Sequence, residues 1–226
     1  MPQYELSGVA KLFPRGPAIV RALDDVDLEI EAGAFVAIEG PSGSGKTTLL
    51  QILGALDRPS SGTVQFEGRD LVQLPDRELA ALRLRSFGFV FQQFNLIPTL
   101  TAVENVEAKL APTGGTRERA LELLAEVGLS GRADHLPAHM SGGEQQRVGI
   151  ARALSVEPRV VLADEPTGNL DSTTGGEIIE LLASLAAEHG STVIVATHDA
   201  TLAARAPRRI AMRDGKLAPL ALATTS

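Results

Sequence analysis

The sequence contains no cysteine and no tryptophan, and only one tyrosine. Without cysteine the chain forms neither disulfides nor thiolate metal sites, and a reducing compartment suits it. It also lacks any run of about 18 apolar residues, so we expect no transmembrane helix. Residues 1–8 show no basic segment followed by an apolar one, which argues against a secretory signal.

Lysine is scarce as well, and acidic residues outnumber basic ones. Only four lysines occur, the chain has 21 basic and 28 acidic residues, and its net charge is −7. Proteins that bind nucleic acid through its phosphates normally present a basic face. Because no run of lysine or arginine occurs, we predict that the chain does not bind nucleic acid.

Length and hydrophobicity fit one globular domain. The 226 residues are 44% hydrophobic and 22% charged, which suffices for a substantial core. Residues 34–39, 160–163 and 192–197 are short apolar runs typical of buried parallel strands, and residues 46–56 and 178–185 have helical spacing. This alternation predicts an α/β fold, a P-loop NTPase core whose mainly parallel sheet is covered by helices.

Two regions depart from the alternation. Residues 1–32 and 62–72 show the pattern of antiparallel strands, whereas residues 99–139 have helical spacing and no strand signal. We therefore predict a single domain, 1–226, with an N-terminal antiparallel β part and a helical insertion. The predicted divisions are an α/β core that includes the antiparallel part, residues 1–92 and 155–226, and a helical subdomain, residues 93–154.

A glycine-rich loop lies between the first predicted parallel strand and the next helix. It matches the phosphate-binding pattern G-x-x-x-x-G-K-[ST]. Its residues are Gly40, Pro41, Ser42, Gly43, Ser44, Gly45, Lys46 and Thr47. Glycines let successive amides point at phosphate oxygens, and a helix N-terminus adds a favourable dipole. We predict that Lys46 reaches the β- and γ-phosphates of a nucleotide, that Thr47 binds Mg²⁺, and that Thr48 also contacts the nucleotide.

Two acidic residues and a histidine follow other predicted strands. Asp164 and Glu165 come directly after residues 160–163, and His198 comes after residues 192–197. Because the carboxyl ends of parallel strands meet at one edge, these side chains should lie beside the phosphate loop. We predict that Asp164 holds Mg²⁺ through water, that Glu165 orients or deprotonates an attacking water, and that His198 contacts the γ-phosphate.

Gln92 and the segment that begins at Ser141 are weaker candidates on their residues alone. Gln92 follows a short predicted strand, residues 89–91, and is either an ordinary surface glutamine or a contact to Mg²⁺ and the attacking water. Ser141, followed three residues later by Glu144, begins a predicted helix. This is either a capping box or, with the free amides of a helix N-terminus, a second anion site.

Taken together, these segments resemble the nucleotide-binding subunits of ABC transporters over essentially the whole chain. The matching residues, in the order of that family, are the phosphate loop, Gln92, Ser141-Gly142-Gly143-Glu144-Gln145, Asp164-Glu165, Asp171 and His198. Phe13 stands where the family stacks an aromatic ring on adenine, usually a tyrosine. The resemblance implies that the nucleotide-binding residues include Ser141 to Glu144 and Asp171.

The resemblance also implies an ATPase that binds ATP and Mg²⁺, with Glu165, His198 and Lys46 in the catalytic roles. It implies a homodimer in the ATP-bound state, in which each ATP is held by the phosphate loop of one subunit and capped by the helix after Ser141 of the other. Its partner would be an integral membrane permease. The chain would therefore attach peripherally to the cytoplasmic face of the plasma membrane.

A narrower likeness points to one branch of the family. Residues 88–98, 101–106 and 163–171 look like the lipoprotein-release, macrolide-export and cell-division branch, which suggests export or release of a substrate. The signature of the family begins in this chain with Met140, where leucine is usual, and has Glu144 where glutamine is common.

The region where the membrane partner of such proteins docks differs from that branch. Residues 108–119 form a shorter stretch than the branch has, which leaves the identity of the partner open. We predict that docking uses the groove beside residues 92–98, whose Phe94, Leu96 and Ile97 are unusually apolar for a loop, and that one or two of the three instead pack into the core.

Three other functions share part of the pattern. A DNA-repair or chromosome ATPase would carry a long coiled coil or a zinc-binding insertion between the motifs, and this chain has about forty residues and no cysteine there. A phosphotransferase of the P-loop kinase class would not need the helix after Ser141 or His198. An ATP-driven mechanical module of the cell-division type, without transport, is the alternative to export that the sequence leaves open.

Overall fold

The computed structural model describes residues 2–16 and 18–218, apart from the side chain of Leu185. Two sheets form within this part of the chain. The strands are β1 (Pro2–Arg15), β2 (Ala18–Glu31), β3 (Phe35–Glu39), β4 (Ser61–Phe66), β5 (Arg69–Asp70), β6 (Phe87–Phe91), β7 (Val160–Asp164), β8 (Thr192–Thr197), β9 (Arg208–Arg213) and β10 (Lys216–Ala218).

Helices cover the sheets and fill the middle of the chain. They are α1 (Lys46–Leu53), α2 (Asp76–Arg85), α3 (Ala102–Leu110), α4 (Arg117–Glu126), α5 (Gly142–Leu154), α6 (Ser172–Glu188) and α7 (Ala200–Ala203). Short 3₁₀ turns lie at Ala111–Thr113, Ser130–Arg132 and Pro137–His139. None of the helices in the described residues is long and apolar enough to cross a membrane.

The central sheet has the strand order β10-β9-β3-β8-β7-β6. All neighbouring pairs from β9 to β6 are parallel, and only β10 runs antiparallel. The first four residues of β7 and all six of β8 are buried, as expected for strands covered on both faces. The predicted α/β fold with a mainly parallel sheet is therefore confirmed.

The second sheet is antiparallel throughout and has the order β2-β1-β4-β5. This confirms the prediction for residues 1–32 and 62–72. Buried polar contacts join this sheet to α1 and to the central sheet: the hydroxyl of Tyr4 donates to the carbonyl of Leu53 in α1 at 2.8 Å, and Thr192 Oγ1 of β8 donates to Gln3 Oε1 at 3.3 Å. The antiparallel sheet consequently packs over α1, beside the phosphate loop.

The predicted helical region also folds as helices, without a strand between residues 99 and 139. Helices α3 and α5 each begin with a complete capping box, at Thr101 and at Ser141. The apolar residues of α3, α4 and α5 share one buried cluster with β6, β7 and β8. Because the core is continuous here, residues 93–154 pack against the sheet, and their status as a subdomain stays a prediction.

One predicted boundary is wrong by three residues. Helix α1 ends at Leu53, whereas helical spacing continues to residue 56. Gly54 forms the C-cap, and a Cβ there would lie 2.5 Å from the ring of Phe89. Ala55 then takes a left-handed conformation with φ of 53°. Close packing of the helix end against β6 therefore stops α1 earlier than the apolar pattern suggests.

Candidate functional site

Four parallel strands end at the same edge of the central sheet and deliver the predicted site residues to it. The phosphate loop follows β3, Gln92 follows β6, Glu165 follows β7 and His198 follows β8. A cleft of about 380 Å³ lies at this edge. It is lined by Val20, Arg21, Ala22, Ser42, Gly43, Gly45, Lys46, Thr47, Thr48, Gln92, Glu165 and His198. Predicted residues from four separate parts of the sequence therefore line one cleft.

The phosphate loop has the backbone that an anion site needs. Gly45 is left-handed with φ of 105°, and a Cβ at this position would lie 2.3 Å from the carbonyl oxygen of Ala22. No side chain caps the amides of the first turn of α1. Ser44 Oγ is buried and has no hydrogen-bond partner among the described residues. Free amides, a helix dipole and an unpartnered hydroxyl together fit the oxygens of a phosphate.

Lys46 supplies a buried positive charge to the cleft. Its side chain is only 6% exposed, and its Nζ donates to the carbonyls of Gly40 at 2.7 Å and Pro41 at 3.1 Å. The same Nζ lies 3.4 Å from Glu165 Oε1. The loop thus wraps around the ammonium group and holds it where a phosphate would lie over the amides.

Glu165 lies between Lys46 and His198. Its Oε2 accepts a hydrogen bond from the backbone N–H of His198 at 3.3 Å and lies 2.9 Å from His198 Nδ1. The Glu165 backbone is left-handed, with φ of 45°. Such a conformation is unfavourable for a residue with a Cβ and is concentrated at functional sites. The strained turn after β7 aims the carboxylate into the cleft.

Asp164, which directly precedes Glu165, forms a second polar pair with Thr47. Thr47 Oγ1 donates to Asp164 Oδ1 at 3.0 Å. Burial raises the pKa of Asp164 above its ordinary value, the Thr47 hydrogen bond lowers it, and the neighbouring charge of Glu165 raises it further. A carboxylate and a hydroxyl are oxygen ligands of the kind that Mg²⁺ takes. Within the described residues no cluster of three or more His, Asp or Glu side chains could hold a metal by itself.

The predicted residues Ser141, Gly142, Gly143 and Glu144 do not line this cleft. Ser141 Oγ accepts from the Glu144 amide at 3.2 Å, and Glu144 Oε2 accepts from the Ser141 amide at 2.8 Å. These hydrogen bonds hold the pKa of the Glu144 carboxyl below its ordinary value. The capping-box interpretation is therefore realised within one chain. The side chain of Ser141 is nonetheless exposed at the N-terminus of α5.

Phe13 and Asp171 also lie outside the lining of the cleft, as do Gly40, Pro41, Ser44 and Asp164, which are close in sequence to lining residues. Phe13 is 37% exposed, and Lys11 Nζ stands 5.0 Å from the centre of its ring. Phe13 pairs across the β1–β2 ladder with Val20, which does line the cleft. Asp171 accepts from the amides of Thr173 and Thr174 at the start of α6, and hydrogen bonds lower the pKa of its carboxyl.

Sequence reasoning missed the contribution of β2. Val20, Arg21 and Ala22 form one wall of the cleft, yet they belong to an antiparallel strand far from the phosphate loop in sequence. The signal that could have identified them is the hairpin itself. Once Phe13 is a candidate, its partner on the paired strand should lie at the same surface.

Comparison with known sequences agrees with this geometry. The ABC transporter family model matches residues 23–168. The macrolide export ATP-binding/permease protein MacB of Burkholderia pseudomallei is 52% identical over 220 residues, and the corresponding MacB 1/2 of Paracoccus denitrificans is 49% identical. Each match covers 96% of this chain. The chain spans about a third of the length of these relatives, 33% and 34%.

A relative with another named cargo is equally similar. The probable syringafactin export ATP-binding/permease protein SyfD of Pseudomonas syringae pv. syringae is 51% identical over 217 residues, which cover 94% of this chain and 33% of that protein.

Solved structures with the same fold include the cassette MJ0796. A dimeric structure of this bacterial ABC transporter cassette superposes with a TM-score of 0.89 at 47% identity, over 96% of this chain and 97% of that one. A dimeric post-hydrolysis state of the same cassette, bound to ADP and Pi, has a TM-score of 0.88 at the same identity and coverage. The predictions of family and fold class are therefore confirmed. The chain belongs to the ABC transporter family and has the fold of its ATP-binding cassettes.

Proposed function

We propose that this chain hydrolyses ATP as a dimer and thereby powers a membrane permease that exports or releases a substrate. The observation that carries the proposal is the cluster of Lys46, Glu165 and His198 at the N-terminus of α1. A buried ammonium, a carboxylate and an imidazole next to free helix amides form a site for a phosphate group and the water that attacks it.

ATP would lie across the cleft with its phosphates over the loop. The amides of residues 42–48 and the ammonium of Lys46 would bind the β- and γ-phosphates. The adenine would lie toward the β1–β2 hairpin, where Phe13 offers an exposed ring and Val20 an apolar wall. A phenylalanine supports stacking, without the hydroxyl of the tyrosine that is more usual at this position.

Mg²⁺ would be held by Thr47 and Asp164 together with phosphate oxygens. The described residues offer too few carboxylates for a metal site of their own, and Mg²⁺ is commonly bound through one or two carboxylates plus substrate phosphates. Asp164 is half-buried, its burial raises the pKa of the carboxyl, and a nearby cation would favour the charged form. The ion would supply neutralisation of phosphate charge.

Glu165 is the residue best placed to accept a proton from the attacking water. One of its oxygens is near Lys46, and the other is held by the backbone amide of His198, so its orientation is fixed. His198 Nδ1 is 2.9 Å from the carboxylate, and its partly exposed ring faces the cleft, where it would contact the γ-phosphate. Gln92 lies on the opposite side, where its amide would contact the ion or the water.

Glu165→Gln should keep ATP binding but slow hydrolysis by about 10²–10⁴-fold, the usual range for loss of a general base. Because the bound ATP then persists, the variant should also accumulate as an ATP-bound dimer. Single-turnover hydrolysis and light scattering with Mg-ATP measure the two effects. Glu78→Gln is a matched control, since Glu78 is an exposed carboxylate on α2 that pairs only with Arg69. A wild-type rate in Glu165→Gln would exclude this residue as the base.

Dimerisation would complete each site with residues 141–145 of the second copy, which we call the signature segment. Ser141 and the N-terminus of α5 are exposed and outside the cleft of their own chain. MJ0796, 47% identical over 96% of this chain, forms a dimer. In a head-to-tail pair, the exposed Ser141 hydroxyl and the dipole of α5 would approach the γ-phosphate bound by the partner's loop. Asp171, at the start of α6, would lie near the same interface.

Ser141→Arg should abolish hydrolysis and leave ATP binding by the monomer nearly intact, because the long side chain blocks only the neighbour's site. Mixed with Lys46→Ala, it should regain about one working site per mixed dimer, since both defects then fall in the same composite site. Rates over a titration of the two variants measure this. If Ser141→Arg alone remains active, the segment is only a helix cap and the composite site is wrong.

The permease would dock at a groove between α1 and β6 whose lining is mainly apolar but includes Lys109, Arg152 and Asp164. Two adjoining cavities, of about 280 and 220 Å³, share Phe89, Phe91 and Asn95 as lining residues, and we call this surface the docking groove. Leu56 lines it and is 48% exposed. The stacked rings of Phe89 and Phe91, with centroids 5.9 Å apart, form its floor. A short apolar helix of a permease would bury this surface, which lies one residue from Gln92.

Only one of the three apolar loop residues is free for such a contact. Leu96 packs against the helical core, and the ring of Phe94 lies near Gly142, whereas Ile97 is 44% exposed. The prediction that some of them belong to the core is therefore confirmed. Docking at this groove would place the chain peripherally at the cytoplasmic face of the membrane that holds the permease.

Replacing the exposed residue that lines the groove, Leu56→Asp, should release the chain from the membranes of the cells that produce it, because a charge disfavours burial of the groove. Membrane fractionation measures this loss. Leu121→Asp is the matched control, since Leu121 is 40% exposed on α4 and does not line the groove. Docking lies elsewhere if Leu56→Asp stays with membranes, or if the control is released equally.

A further inference from the structure

The loop after Gln92 contains two consecutive residues in the left-handed conformation. Phe94 has φ of 59° and Asn95 has φ of 48°. Left-handed backbone is unfavourable for residues with a Cβ, most of all for an aromatic one, and two in a row are rarer still. Such a conformation persists only where surrounding groups hold it. The loop therefore needs a partner that fixes it.

Arg152 of α5 is that partner. Its Nη1 donates to the carbonyl of Asn95 at 2.6 Å and its Nη2 to the carbonyl of Phe94 at 2.8 Å. A guanidinium presents two parallel donors in a fixed plane, so it fixes the relative orientation of two successive carbonyls. The ring of Phe94 also lies against α5, since a Cβ on Gly142 would come within 3.6 Å of it.

The guanidinium pairs with these two neutral carbonyls and forms no salt bridge in the part of the chain that the structure describes. No carboxylate of the described residues lies within 4.0 Å of it. Burial is the cause of a lowered pKa at Arg152. A half-buried cation whose side-chain hydrogen bonds go to the carbonyls of a single loop is well suited to holding that loop.

The other end of the same loop is attached to the segment that carries the catalytic carboxylate. The backbone carbonyl of Gln92 accepts from Asn169 Nδ2 at 2.9 Å. The side chain of Gln92 lies against Gly168, where an added Cβ would be 2.6 Å from Gln92 Nε2. Gln92 is thus held between the segment after Glu165 and the strained pair at Phe94 and Asn95.

We propose that Arg152 is a positioning residue that acts through this loop. Its two hydrogen bonds hold Phe94 and Asn95 in the left-handed conformation and so set Gln92 in the cleft. Because Arg152 and Ser141 belong to the same helix, a movement of α5 when the signature segment meets a neighbour's ATP is transmitted to Gln92. The proposal rests on the ATP hydrolysis proposed above.

Arg152→Gln should lower kcat for ATP about tenfold or more, since the unfavourable pair is no longer held. The Kd for ATP should stay within about twofold, because the residue does not touch the phosphate loop. Arg152→Lys should be nearly as slow, since one ammonium cannot replace a two-donor plane. Adding Asn95→Gly to Arg152→Gln should restore part of the rate, because glycine takes the left-handed conformation without strain at one of the two positions while Phe94 keeps its unfavourable one.

Arg147→Gln is the matched control on the same helix. Arg147 also donates to a backbone carbonyl, that of Val127, but it pairs with Glu177 and does not touch the loop. A wild-type kcat in Arg152→Gln, measured where the wild-type chain hydrolyses ATP, would overturn the proposal. So would a loss of stability in urea that explains the lost rate and is not reversed by Asn95→Gly.

A readout without hydrolysis separates this proposal from the proposed function. Amide hydrogen exchange at Phe94 and Asn95 should become faster in Arg152→Gln and stay unchanged in Arg147→Gln, with no nucleotide present. If the wild-type chain shows no ATPase activity, the proposed function fails, and the exchange result alone tests whether Arg152 positions the loop. Unchanged exchange in Arg152→Gln would contradict it.

Discussion

Parallel pairing in register fixes where the groups that follow the strands of the central sheet lie. Phe91 stands opposite Asp164, Asp164 opposite Ala196, and Glu39 opposite Thr197, so β6, β7, β8 and β3 end side by side. The residue after each strand then leaves the sheet at the same edge. Four segments that are far apart in sequence thus meet within one cleft, and a shift of any strand by one residue would turn its end residue to the other face of the sheet. The positions of these groups are therefore set by the register of the sheet, independently of the chemistry that the groups perform.

The same edge holds charged groups whose burial or backbone conformation is unfavourable for stability. Lys46 is buried, Glu165 takes a left-handed backbone, and the pKa of Asp164 is raised by burial. A carboxyl whose pKa is higher in the folded chain than in the unfolded one costs stability as pH rises through its ordinary pKa, so Asp164 opposes folding at neutral pH. A metal-bound nucleotide would reverse that cost. The left-handed Phe94 and Asn95 are a further unfavourable feature beside the cleft, and the hydrogen bonds of Arg152 hold them.

Sequence patterns predicted the parts of this site that depend on local order. The glycine spacing identified the phosphate loop, and apolar runs placed Asp164, Glu165 and His198 at strand ends. They did not identify the wall formed by Val20 to Ala22 or the hydrogen bonds of Arg152, because these are long-range contacts without a periodic signal. Ser141 shows most clearly what the sequence alone leaves undetermined. A capping box and an anion site require the same residues, and only a second copy of the chain distinguishes them.

The most direct test of the account is the affinity of the cleft for the phosphates of ATP. Calorimetric titration of Mg-ATP should show a loss of affinity of roughly 30-fold or more in Lys46→Ala, because the bound phosphates lose their main positive counter-charge. Adenosine, which lacks phosphates, should bind both proteins alike. Equal ATP affinity of wild type and Lys46→Ala would mean that the loop is only a turn, and would contradict the account.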